Sequence, residues 1–417
     1  MMDRKPPQVE IDVDLLIIGG GFVGGSLAAA LDNTPLSVCL VDRADPATAL
    51  DASFDGRAFA ISLSNQRMLE GIGLWSDLGD TSAPILDIRV SDGPSLLFMH
   101  YDHAEVGTDP MGFMVENHHL RQALHRCLTG QRGLTYVAPS QVTALERGRA
   151  GVRAELADGR RVHARLAVAA DGRASQTRAD AGIGLTRWSY HQTGIVCTVR
   201  HERSHDYVAQ ERFLPSGPFA ILPLMGDTEG AANRASIVWT EREDLAPAMM
   251  ALDDGAFVAE LQDRFGAFLG DIEVVGPRWS YPLSLQFAQE TLAERLVLIG
   301  DAAHGMHPIA GQGLNMGLRD VAALAEVLVD SHRLGLDIGD GHVLERYERW
   351  RRFDNTMMLA ATDVLNRLFS NNIAPIRAAR DIGLAAVNAV PPLKRLFMRH
   401  AMGVVGDLPK LLRGQPL

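Results

Sequence analysis

Residues Leu296–Asn315 read LVLIGDAAHGMHPIAGQGLN. Four apolar residues, Leu296 to Ile299, predict a buried strand. Gly300-Asp301 ends it, and a loop with His304, His307 and Pro308 follows. Gly311-Gln312-Gly313 permits close backbone approach, because glycine carries no Cβ. From Leu314 and Asn315 an apolar period runs on through Leu318, Val321, Leu324 and Leu328, which predicts a helix. A glycine turn at a helix N-terminus offers unpaired N–H groups and the positive end of the helix dipole, a receptor for negative charge. Alone, this is also an ordinary strand, loop and helix with incidental glycines. Two further stretches weigh against that reading.

The first lies near the N-terminus. Val13–Ile18 is a short apolar strand that runs into Gly19-Gly20-Gly21-Phe22-Val23-Gly24, followed by small residues over Ser26–Leu31. In a GxGxxG turn the first glycine (Gly19) makes the bend, the second (Gly21) admits a pyrophosphate, and the third (Gly24) lets helix and strand pack closely. A second strand, Ser37–Val41, ends in Asp42, eighteen residues beyond Gly24. An acid there suits a ribose with a free 2′-hydroxyl. Arg43 beside it suits adenine or phosphate. The second stretch is Ala164–Ala170, an apolar strand ending in Asp171-Gly172-Arg173-Ala174-Ser175-Gln176-Thr177-Arg178. Ser175 there serves equally as a plain helix cap.

In this order the three motifs, GxGxxG, DGxxSxxR and GDAAHxxxPxxGQGxN, resemble the signatures of FAD-dependent aromatic hydroxylases of the para-hydroxybenzoate hydroxylase type. Asp55-Gly56-Arg57-Ala58 and the tail, with Arg377, Arg380, Gly383, Met402-Gly403 and Gly406, resemble one branch, the ubiquinone-biosynthesis hydroxylases. The resemblance implies FAD as cofactor, with Asp301 on the ribityl chain. It places Gly300, Pro308 and Gly311–Asn315, including Gln312, Gly313 and Leu314, beside the flavin ring. It brings Arg57 to the pyrophosphate or flavin, Asn117 or Arg121 to the cofactor, the backbone near Val142 to adenine, and Asp171 and Gly172 under the pyrophosphate. Phe22 and Val23 belong to the first turn. Tyr281, in the Pro-containing strand Arg278–Leu285, joins His307 and Pro308 as a catalytic candidate facing flavin and substrate. His304 and His307 are candidates for tuning phenol ionisation, though neutral loop histidines that merely pack are commoner. The spacing of His304 and His307 mimics a metal site, but no further ligand cluster completes one.

The resemblance implies an α/β architecture. A Rossmann-like FAD-binding domain spans 10–84, 110–182 and 286–345. A mainly antiparallel β-sheet substrate domain, 85–109 and 183–285, is inserted into it. A helical C-terminal region covers 346–417. The residue pattern supports the insertion: beyond Gly182, strand-like runs alternate with polar turns instead of helices. Phe213, Phe219, Leu222 and Trp239 are expected on the inner face of that sheet.

Composition sets outer limits. The 417 residues carry a net charge of −11 and are 47% hydrophobic, which suits a folded multi-domain chain and argues against nucleic acid as a partner. Cys39, Cys127 and Cys197 are too far apart for a metal or CxxC pattern. No run of about 18 apolar residues predicts a membrane span. The first residues lack the apolar centre of a signal peptide, so a cytoplasmic location is expected. From Pro391 onward, Lys394, Arg395, Arg399, Lys410 and Arg413 face one acid, Asp407. This reversal suits an amphipathic tail on the inner face of a membrane or against other ubiquinone-biosynthesis proteins, and equally a solvated basic helix.

The chemistry implied is external flavin monooxygenation. NAD(P)H, a transient donor, reduces FAD, and O₂ adds to give a C4a-hydroperoxide. An electron-rich ring of a prenylated phenol then takes the distal oxygen. Three rivals stand beside it: a prenyl-lipid flavin reductase, a hydroxylase of another aromatic substrate, and a flavin-bound scaffold without turnover.

Overall fold

The computed structural model describes residues 9–46, 55–93, 98–228, 230–305, 312–369, 380, 383 and 386–417. In chain order the strands are β1 (Glu10–Ile18), β2 (Val38–Val41), β3 (Ala58–Ser62), β4 (Ala83–Ile85), β5 (Asp87–Asp92), β6 (Phe98–Asp102), β7 (Gly112–Glu116), β8 (Leu134–Val137), β9 (Val142–Gly148) and β10 (Gly151–Leu156). They continue as β11 (Arg161–Ala169), β12 (Leu185–His201), β13 (Val208–Leu214), β14 (Gly217–Leu224), β15 (Arg234–Arg242), β16 (Ile272–Ala288), β17 (Leu292–Ala293), β18 (Leu296–Leu298) and β19 (His304–Gly305). The principal helices are α1 (Phe22–Ala30), α2 (Leu63–Gly71), α3 (Asn117–Gly130), α4 (Gln176–Asp180), α5 (Asp254–Phe265), α6 (Gln312–Arg333), α7 (Gly341–Phe369) and α8 (Pro391–Ala401).

The first sheet runs β17-β18-β11-β1-β2-β8, and from β18 to β8 its pairings are parallel. β1 lies at its centre because it is apolar on both faces. Leu15 and Ile17 feed a core shared with α1 and α6, while Leu16 and Ile18 feed a second core under β9 and β10. The order reverses at β1, between β2 and β11, and such a switch point is where dinucleotides bind. The parallel strand expected over Ala164–Ala170 begins earlier, at Arg161, and ends at Ala169. β11 pairs antiparallel with β10 and parallel with β1 and β18.

The second sheet runs β19-β16-β12-β15-β14-β13-β5-β6 and is antiparallel except between β13 and β5. The antiparallel pair β5–β6 forms its edge. β12 and β16 span 17 residues each, and β16 runs far beyond the strand Arg278–Leu285 expected from the sequence. Gly194 and Pro282 pair in continuous register between two register shifts, one at Ser189/Gln192 and one at Val196/Thr198, the second opposite Gly276 and Pro277. β3, β7 and β4 form a small third sheet between the two.

The four expected inner-face residues divide between the two sides of this sheet. Phe213 and Leu222 face the cavity described below. Phe219 and Trp239 are cross-strand partners on the opposite side, packed with Phe257, Leu261 and Phe265 of α5. Side chains alternate faces along a strand, so the two sets fall out of phase. Cys39 and Cys197 are buried free thiols, and burial pushes both up to about 12. No helix among the described residues is long and apolar enough to cross a membrane.

Candidate active site

Each glycine of the first turn has a separate physical role. Gly19 has φ +105°, and a Cβ there would lie 2.4 Å from the Ala170 carbonyl oxygen. A Cβ at Gly24 would lie 2.0 Å from the Gly19 oxygen. Both are forced by packing between α1, β1 and the end of β11. Gly21 differs: nothing lies within 4 Å of its Cβ position. It opens onto the cavity at the start of α1, which leaves the approach a pyrophosphate requires. Asp42 leaves β2 beside this turn. Its carboxylate accepts hydrogen bonds from the Gly20 N–H and, at 2.6 Å, from the Ala44 N–H. Arg43 is exposed.

Opposite this turn, β18 ends in a 3₁₀ turn, Gly300–Ala302. Gly300 has φ +57°, and its Cβ position lies 3.1 Å from Val23 Cγ1, so the two motifs touch. Asp301 lines the cavity. Burial raises its carboxyl, against the opposing charges of His304 and Arg173. Beneath the turn lies a buried charge chain. The Gly300 N–H donates to Asp320 Oδ2 at 3.0 Å, and His304 Nε2 lies 2.7 Å from the same oxygen. Arg351 Nε donates to Asp320 Oδ1 at 2.8 Å, and Arg351 also pairs with Asp354. Burial disfavours the His304 cation, but the Asp320 carboxylate outweighs it and raises the imidazole above its ordinary value. His304 is therefore a structural partner of Asp320, held beneath the turn by that contact.

Between the two turns opens a cavity of 1570 Å³. Gly21, Phe22, Val23, Arg57, Gly172, Asp301, Gln312, Gly313, Leu314 and Asn315 line one end, all of them expected from sequence. α6 begins there, so its N-terminal dipole points into the space. Tyr281 and Pro282 form part of the wall. The Tyr281 ring packs 3.1 Å from the Cβ position of Gly194, and burial raises its phenol. Arg57 pairs with Asp55 at 2.7 Å and sits 5.4 Å from the Trp279 ring centroid. Asn117 donates to the same Asp55 carboxylate at 2.6 Å. Burial works to raise Asp55, and these hydrogen bonds overcome it and hold the carboxyl below its usual value.

The remaining expected residues fall into three groups. Gly19, Gly24, Asp42, Asp171 and Gly300 build the turns themselves. Asp171 accepts from Ser175 Oγ and from the Thr177 N–H and hydroxyl, while Ser175 caps α4, so the cap reading holds. Asn117 acts through Asp55 and Arg57; Arg43, Arg121 and Val142 do not line the cavity. His307, Pro308 and Gly311 lie outside the described residues. The Asn315 side chain is committed to structure: it accepts from the Ser62 N–H at 2.9 Å and donates to the Ala60 oxygen at 2.9 Å.

Several site residues escaped the sequence reading. Arg173, an unassigned position of DGxxSxxR, lines the cavity and donates to Ser284 Oγ at 2.9 Å. Asp320 is a fully buried acid on the helix bearing Leu318, Val321 and Leu324. A charge on so apolar a helix was its signal. Glu211 lines the cavity in phase with Ala209 and Phe213. Period-two counting along Val208–Leu214 was its signal.

A parallel sheet with a glycine turn at its switch point and a facing acid-bearing turn define a flavoprotein of the dinucleotide-binding class. The FAD binding domain family matches residues 12–358. The chain is 56% identical over 407 residues to the ubiquinone hydroxylase UbiL of Rhodospirillum rubrum, covering 97% of this chain and 93% of that protein. It is 34% identical to the 3-demethoxyubiquinol 3-hydroxylase of Escherichia coli, over 94% of this chain and 98% of that one. The p-nitrophenol 4-monooxygenase PnpA of Pseudomonas putida shares the fold, with a TM-score of 0.78 at 19% identity over 95% of this chain and 99% of that one. The chain belongs to the ubiquinone-biosynthesis hydroxylase family of FAD-dependent aromatic hydroxylases, and its cofactor is FAD.

Proposed function

We propose that this chain hydroxylates the aromatic ring of a prenylated phenol in ubiquinone biosynthesis, as an FAD-dependent monooxygenase using NAD(P)H and O₂. The observation that carries this reading is the continuity of the cavity. One space joins the dinucleotide turns to an apolar sheet face bounded by Val196, Phe213, Leu222, Val238 and Phe369. Its 1570 Å³ exceeds the roughly 300–1,000 Å³ of a single-ligand pocket. A dinucleotide and an apolar tail both fit, and a small soluble acid does not explain so apolar an extension.

FAD supplies the electron storage and oxygen activation that no side chain here provides. The protein's own part is binding, orientation and exclusion of water. Gly21 admits the pyrophosphate, Asp42 takes ribose hydroxyls, and Asp301 takes the ribityl hydroxyls. The N-terminus of α6 stabilises negative charge at the flavin ring. Tyr281 and Pro282 wall the ring pocket, and the apolar sheet face keeps water from the reacting atoms.

The same reading accounts for α8. Leu393, Leu396 and Phe397 are exposed there, with Arg395 and Arg399 also exposed on the same helix. Phe397 and Ala401 also line the cavity. An apolar, basic helix at the cavity wall suits an anionic bilayer from which a prenyl tail enters. Two of the five tail cations do not contribute: Lys394 is buried against Glu105 at 2.5 Å, and Lys410 pairs with Asp330 at 3.3 Å.

The test is anaerobic reduction of the FAD-loaded protein by NAD(P)H with and without a prenylated phenol, followed by ¹⁸O₂. Faster bleaching with the phenol and ¹⁸O in the product are expected. Bleaching without ¹⁸O incorporation would assign a reductase instead.

A further inference from the structure

Strand register places one residue from each of five strands in a lateral row: Val90 on β5, Glu211 on β13, Ala220 on β14, Val238 on β15 and Val196 on β12. All five line the cavity. Glu211 is the one polar member. Its neighbours along β13 on the same face, Ala209 and Phe213, are apolar as well. Among the described residues its carboxyl has no hydrogen-bond or ion-pair partner. The nearby charges are spent elsewhere: Arg380 pairs with Asp92 at 2.7 Å, and Arg212, on the other face, donates to the carbonyl oxygens of Arg264 and Phe265. β14 contributes no charge, and the facing Leu368, Phe369, Val387 and Phe397 are apolar. A carboxyl held without a partner in an apolar chamber is costly for the fold, and such costs cluster at functional sites.

We propose that Glu211 receives the ring hydroxyl of the phenol and acts as the general base of the hydroxylation. This rests on the prenylated-phenol reading above. The phenol O–H donates to the Glu211 carboxylate. As oxygen transfer begins, the O–H bond breaks, the proton passes to Glu211, and the electron pair stays on the ring oxygen. That pair feeds the ortho and para carbons, which raises their nucleophilicity toward the activated oxygen. The apolar row holds the ring flat beside the base. Burial alone moves the Glu211 carboxyl up to about 7, close to the working pH at which a base is most effective.

The experiment compares FAD-loaded wild type with Glu211→Gln, using ortho-dimethylallylphenol and its O-methyl ether as probes, read by flavin difference absorbance. Glutamine keeps the shape, and an unchanged flavin spectrum reports an intact holoprotein. Wild type is expected to hold the phenol at least about 10-fold tighter than the ether. That preference grows as pH rises through about 7, as the carboxylate forms. E211Q offers only a neutral amide oxygen, so its preference is several-fold smaller and does not change with pH. Retention of the full, pH-dependent preference by E211Q, or phenol bound no better than ether by wild type, overturns the assignment of Glu211 alone. If neither probe perturbs the wild-type flavin, the prenylated-phenol reading falls and the role of Glu211 with it.

Discussion

Gly21 and Gly24 sit three residues apart and answer to different constraints, so the same substitution at each has different consequences. Gly24→Ala drives a methyl into the Gly19 oxygen and destabilises the fold, visible as a lowered melting temperature without FAD. Gly21→Ala meets no protein atom, so the apoprotein melts as wild type does. It crowds the pyrophosphate instead, and FAD affinity falls by about 10-fold or more in an equilibrium titration. Asp301→Ala likewise leaves the apoprotein folded and weakens FAD. Glu211 gives a pH prediction. Its folded value, about 7, lies above the ordinary 4.5, so the folded state binds the extra proton. Wild type then loses stability relative to E211Q as pH rises from about 4.5 to about 7, and the difference is constant above that. Thermal melts of both proteins across that range check it. At this scale the glycine turns were legible because a glycine's role is set by its own backbone. Glu211 was not, because its significance lies in which residues of four other strands stand in line with it.

Among the elements, α6 carries the most responsibility. It starts at the cofactor end, packs against α1 and α7, and buries Asp320 beneath the Gly300–Asp301 turn. Asp320→Asn leaves His304 and Arg351 buried without their shared carboxylate. A loss of about 3–5 kcal/mol is expected, the usual cost of breaking a buried pair by removing one partner. The raised imidazole fixes the pH dependence. The His304 contribution is complete below the ordinary value of 6.5 and fades as pH rises through the raised one. The wild-type advantage over D320N therefore narrows, without vanishing, as pH rises above 6.5 through the raised value, because Arg351 stays charged. Urea melts across a pH series measure it. The helix itself was plain from its apolar period. Its buried acid was not assigned, because the partner Arg351 lies 31 residues further on, on another helix.

For the whole molecule, the change from strand-helix to strand-turn texture beyond Gly182 was enough to expect an antiparallel sheet beside the parallel one, since each texture reflects which faces an element must bury. The pairing that joins β11 to both a hairpin and the parallel sheet was not, because it depends on distant strands. The membrane reading makes its prediction here. Leu393→Glu with Leu396→Glu places charge on exposed positions of α8 and leaves its buried Met398 in place. Sedimentation with phosphatidylglycerol vesicles is expected to fall several-fold, while reduction of the flavin by NAD(P)H in solution is unchanged. Equal sedimentation of the variant would remove α8 from any bilayer contact.

β12 and β16 have a mechanical consequence. Their pairing runs from Leu185↔Ala288, beside the β19 strand that carries His304, to His201↔Ile272, beside α5. Over 17 residues that is a ladder on the order of 50 Å long. Two strands so paired form a spar along the second sheet that reaches the Gly300–Asp301 turn region through β19. Val196 on β12 and Tyr281 and Pro282 on β16 wall the cavity, so the ladder holds that wall in one piece with the strand that bears His304.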